Sequence, residues 1–115
     1  MERYCRIFVR SSNREAIHSL VCTALHGSAV DDHIDADGAQ AYVGDNGYRD
    51  PEGGDDFLDW PLCVELDGDE QLEMARLVAL TRDVLAGLWA AGVPAVAAAD
   101  YEDQLPYNGG IELYG

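Results

Sequence analysis

The stretch from Glu70 to Ala91 constrains the fold more than any other. Met74, Leu77, Val78, Thr81, Leu85, Leu88 and Trp89 recur at helical spacing, while Glu73, Arg76 and Asp83 fall off that stripe. Asp67-Gly68-Asp69 turns the chain into this helix and Gly92 is placed to cap it. A helix of that length with one apolar stripe must bury it against another layer. Strand-like runs supply that layer. Residues 4–10 alternate, with Cys5, Ile7 and Val9 on one side and Tyr4, Arg6, Phe8 and Arg10 on the other. In residues 60–66, Leu62, Val64 and Leu66 point inward, and Pro61 near the start is tolerated. Residues 93–99 form a near-continuous apolar run, expected to be a covered strand.

A second helix is expected over residues 13–26. Ser12 and Glu15 read as a capping box, the buried stripe is Ile17, Leu20, Val21, Ala24 and Leu25, and Gly27 is placed to end it. Ala29-Val30 and Ala39 to Val43 can each supply a strand, separated by a polar turn region from Asp31 to Gly38. The order strand, helix, strand or hairpin, strand, helix, strand predicts one α+β domain over residues 1–115, a ferredoxin-like sandwich with two helices on one face of an antiparallel sheet. A long acidic, glycine-rich loop is expected near 44–59 and an acidic, aromatic tail over 100–115, with room for a short strand at Ile111.

Charge is distributed unevenly over this frame. All seven basic residues are Arg, and four of them lie before residue 31. Residues 31–115 hold twenty Asp and Glu against Arg49, Arg76 and Arg82, a balance of −17 within a total of −15. Such a field repels nucleic acid and anionic membrane and steers cationic partners inward. No apolar stretch is long enough to span a membrane, since Arg82, Asp83 and Gly92 break the longest ones. No secretory signal is expected from residues 1–10, because Arg10 interrupts the apolar run too early. Cys5, Cys22 and Cys63 are an odd count at wide spacing, which predicts free thiols and a cytoplasmic protein.

Motifs for chemistry are scarce. His18, Cys22 and His26 share one stripe of the first helix, but His18 and His26 lie about 12 Å apart along the axis, too far for one zinc ion. A calcium loop with its glycine at Gly38 would need an acid at His33 and a Glu at Gly44, and has neither. There is no GxSxG, no phosphate-binding loop and no GxGxxG. No catalytic residue, metal or cofactor is therefore expected, and the chain reads as a non-enzyme. The aromatic residues among the acids point to binding instead, because an acidic rim with aromatic anchors suits a basic protein. The candidate contact residues are Tyr48, Asp50, Glu52, Asp55, Asp56 and Phe57 in the loop, with Tyr101, Glu102 and Asp103 in the tail.

A compact acidic α+β domain without a catalytic motif resembles the small acidic immunity proteins of bacterial polymorphic-toxin systems. The segment Ala97-Ala98-Ala99-Asp100-Tyr101-Glu102-Asp103-Gln104-Leu105-Pro106 also resembles the ends of actinobacterial proteins of similar size. The resemblance implies a protein that neutralises a basic toxin, often a nuclease, by covering its active site, with acids standing in for phosphate. Two alternatives remain: a regulatory or DNA-mimicking adaptor for another basic protein, and a small ferredoxin-like enzyme or ligand-binding domain. The sequence leaves oligomeric state open.

Overall fold

The computed structural model describes residues 2–31, 33–47, 49 and 56–115. Their order is β1 (Tyr4–Val9), α1 (Arg14–Leu25), β2 (Ser28–Val30), β3 (His33–Ala36), β4 (Ala39–Asp45), β5 (Leu62–Gly68), α2 (Met74–Ala90), β6 (Ala95–Ala99) and a four-residue α3 (Ile111–Tyr114). The six strands form one sheet in the order β2-β3-β4-β5-β1-β6, with every pairing antiparallel. The protein is thus α+β, as the element order predicts.

Period-two alternation in β1 divides the molecule. Cys5, Ile7 and Val9 enter the main core with Ile17, Val21 and Leu25 of α1 and Leu77, Val84, Leu85 and Leu88 of α2. Each fully buried Leu, Ile or Val contributes roughly 1.5–3 kcal/mol of burial, and these side chains outweigh the modest helix propensity of Val21 and Val84. The two helices also meet each other, with Gly87 backed onto Ala24. Phe8 points to the opposite side of the sheet. There it forms a smaller cluster with Trp60, Cys63 and Val96, closed by Phe57.

Several expected details change. The cap of α1 is Asn13, whose side chain accepts the Ala16 N–H at 3.1 Å, so Ser12 is not the N-cap. At the other end His26, not Gly27, takes the left-handed turn (φ 50°). Gly27 is required for another reason: a Cβ there would lie 2.7 Å from Ile34 Cγ2 and 2.8 Å from the Asp35 carbonyl oxygen. The region from Asp31 to Gly38 is not only a turn, because His33–Ala36 is a strand whose Ile34 and Ala36 are buried by alternation. The helix α2 starts at Met74, four residues later than expected, after a turn closed by Leu72 N–H on Asp69.

The tail forms short 3-10 turns at Glu102–Gln104 and Pro106–Gly110, then α3 at the place with room for a short strand. It runs beside the edge strand β6. Gly109 and Gly110, both at positive φ, approach the carbonyl oxygens of Ala97 and Ala95, where a Cβ would collide. A covered edge cannot recruit a foreign strand. Among the described residues, no helix is long and apolar enough to cross a membrane.

Candidate binding face

The sheet face turned away from the main core bears a set of polar and aromatic side chains. Antiparallel register places opposite residues on one face, which resolves this side into three rows. One row runs Asp35, Gln40, Asp67, Tyr4. The next runs Tyr42, Glu65, Arg6, Ala98, with His33 beside Tyr42. The third is Gly44, Cys63, Phe8, Val96. Phe57 and Trp60 pack with Phe8, Cys63 and Val96 of the third row and leave Gly44 outside that cluster, with the Phe57 ring 5.5 Å from Phe8 and 6.4 Å from Trp60. The first two rows stay at the surface: Asp35, Tyr42, Asp67 and Ala98 are exposed, and Tyr4, Arg6, His33, Gln40 and Glu65 are half-buried.

Within these rows the side chains hold each other in place. Tyr4 Oη donates to Glu65 Oε1 at 3.0 Å, and Arg6 Nη2 donates to the same oxygen at 3.2 Å and to Tyr4 Oη at 3.0 Å. The Arg6 guanidinium also stands 5.8 Å from the centre of the Tyr4 ring. Burial, followed by the bond to the Glu65 carboxylate, pushes the Tyr4 phenol up to about 12, so it is a neutral donor at physiological pH. The His33 and Tyr42 rings lie 5.5 Å apart in a tilted arrangement. Three carboxylates (Asp35, Glu65, Asp67) thus face one guanidinium across the two rows.

A half-open hollow of about 280 Å³ lies on this side of the sheet, lined by Tyr42, Val43, Gly44, Asp45, Cys63 and Glu65. Burial raises the Cys63 thiol to about 11, which keeps it protonated and makes it a poor nucleophile at neutral pH.

Of the residues proposed from sequence, the structure describes Asp56, Phe57, Tyr101, Glu102 and Asp103. Tyr48, Asp50, Glu52 and Asp55 lie outside the described residues. Asp56 is exposed, and its Oδ1 accepts the Leu58 N–H at 3.2 Å, capping the 3-10 turn Phe57–Asp59. Phe57 is half-buried over the second cluster. Glu102 and Asp103 are exposed, and Glu102 Oε2 accepts the Ala99 N–H at 3.3 Å.

Tyr101 requires correction as a contact residue, because it is fully buried. Its hydroxyl lies 2.9 Å from Thr81 Oγ1. Thr81 gives its only hydrogen to the Leu77 carbonyl at 2.9 Å, so Tyr101 is the donor between the two hydroxyls. The acidic neighbours Asp100, Glu102 and Asp103 suggest an exposed segment, but the turn after β6 swings this one ring beneath α2. The face residues were signalled by the polar half of each strand's alternation, notably Tyr4 and Arg6 opposite Cys5 and Ile7.

On α1, the Cys22 thiol donates to the Gly27 carbonyl at 3.2 Å, and His26 occupies the left-handed cap. Among the described residues, no three His, Cys, Asp or Glu side chains come together as a metal-ligand set. Comparison with protein-family models finds no match, and comparisons with curated proteins and with solved structures find none either.

Proposed function

We propose that this chain is an acidic protein-binding module that docks a basic protein on the open face of its sheet. The proposed biological setting is immunity: a cytoplasmic bacterial protein that covers the active site of a basic toxin. One observation carries the reading. The uncovered rows Asp35–Tyr4 and Tyr42–Ala98 present carboxylates beside exposed aromatic surface, on a chain of net charge −15. Carboxylates of that kind raise the association rate with a cation-rich partner, and tyrosine adds contact area at small entropic cost. The ferredoxin-like reading belongs to the same proposal. It is supported by the inner strand order β4-β5-β1-β6, with α1 following β1 and α2 following β5, and by the one core cluster that the two helices share.

The test is capture by immobilised chain from cells that make it, with quantitative mass spectrometry. The parent should retain a basic protein in a salt-sensitive manner. A Tyr42→Ala, Glu65→Gln variant should lose it, while a helix-surface variant, Glu73→Gln with Arg76→Gln, should keep it. Retention by the sheet-face variant and loss by the helix variant would refute the assignment of the face. Retention of an acidic or salt-insensitive partner would refute the electrostatic reading.

A further inference from the structure

Gly44 stands in a strand, opposite Cys63, and nothing among the described residues requires it to be glycine. Gly27, Gly109 and Gly110 each press against backbone carbonyl oxygens, and Gly68 lies against Leu77. A Cβ on Gly44 would meet no described atom within 4 Å, and Gly44 does not need a positive φ. Glycine inside a strand weakens it and commonly marks close approach by something from outside.

The walls of the dent specify what approaches. Tyr42 is 40% exposed on one side, and Glu65 is its direct cross-strand neighbour. The Cys63 thiol at the base is neutral. On the far side of Glu65, Arg6 already shows how this face holds a cation: over a tyrosine ring and bonded to Glu65 Oε1. Tyr42 and Glu65 repeat that tyrosine–carboxylate pair toward the hollow. Among the described residues no hydrogen bond is made to Glu65 Oε2. A guanidinium is the group that both stacks on an aromatic ring and forks onto a carboxylate, whereas an ammonium is a more strongly hydrated point charge. Asp35 and Asp67 in the adjoining row disfavour an anion. We infer that the hollow over Gly44 receives an arginine side chain of the docked partner, with the guanidinium between the Tyr42 ring and Glu65. This rests on the docking reading above and names the residue type that the face reads.

The test uses the full-length ¹⁵N-labelled chain and three blocked tripeptides, Gly-X-Gly with X as arginine, lysine or citrulline, at physiological salt. The arginine peptide should cause saturable shifts at Tyr42, Gly44, Cys63 and Glu65. Citrulline, which keeps the shape without the charge, should bind about tenfold more weakly, and lysine should also bind more weakly. Gly44→Val should keep the native spectrum, melt no lower than the parent and lose these shifts. Gly44→Ala provides a smaller filling should valine disturb β4. Glu65→Gln should weaken the arginine peptide about tenfold. Shifts that persist in the folded Gly44 variants overturn the inference, as do equal shifts from arginine and lysine spread over the acidic surface. Either result leaves the wider docking reading standing, since that reading needs only the acidic face and fails separately in the capture experiment.

Discussion

Tyr101 illustrates how one side chain in an acidic segment can serve the interior. Its ring fills the space between β1 and α2, and its hydroxyl satisfies Thr81, which is itself fully buried. Tyr101→Phe should cost about 1 kcal/mol through the lost hydrogen bond, and Tyr101→Ala about 3–5 kcal/mol through the cavity left. Urea unfolding would measure both, and a Tyr101→Ala protein as stable as the parent would contradict the burial. The thiols provide a second residue-scale check. All three cysteines are free, with Cys5 and Cys63 buried and Cys22 half-buried. Native alkylation should label Cys22 first, and Cys5 and Cys63 only after unfolding. Burial raises Cys5 to about 12 and Cys63 to about 11 from an ordinary 9.0. Because the folded state keeps protons that the unfolded state releases, their contribution is complete below pH 9.0 and is lost as pH rises through about 11 to about 12. Chemical denaturation across that range should show stability falling, and less steeply in a Cys5→Ala, Cys63→Ala variant.

The elements show what a single chain of letters can and cannot disclose. Both long helices are legible because Ile17, Val21 and Leu25, and Leu77, Leu85 and Leu88, repeat at the period of the buried face. The caps are less so. Ser12 and Asn13 are both good capping residues, and only the backbone decides between them. Asn13→Ala should cost about 1 kcal/mol in unfolding free energy while Ser12→Ala costs little; equal losses would show that the cap is shared. The strand β3 hid among Asp31, Asp35 and Asp37 because its two buried residues, Ile34 and Ala36, are too short a pattern to outweigh the acids. The open sheet face was only half legible. Alternation in β1 marks Tyr4 and Arg6 as one side, but pairing with Glu65 and alignment with Tyr42 are set by long-range register. Gly44 tests the element scale directly. Where it has open space, Gly44→Val should stabilise β4 by about 0.5–1 kcal/mol, whereas a marked loss of stability would mean that the dent is structurally required.

At the scale of the whole molecule, two properties act together: a sheet with one face turned away from the main core, and a charge of −15. On the proposed docking reading, long-range attraction would govern how fast a basic partner arrives, since exposed charges are screened beyond about 8 Å at physiological salt. On the same reading, close contact at Tyr42 and Glu65 would govern how slowly it leaves. The same charge strains the isolated chain through self-repulsion, so its melting temperature should rise as salt is increased from low to physiological levels. The decisive measurement is the binding rate of the captured partner across a salt series, for the parent and for an Asp35→Asn, Glu65→Gln, Asp67→Asn variant. The docking account predicts a steep fall of the parent's association rate with salt, a slower and flatter rate for the variant, and faster dissociation on Tyr42→Ala. Identical salt dependence and affinity in parent and variants would contradict it.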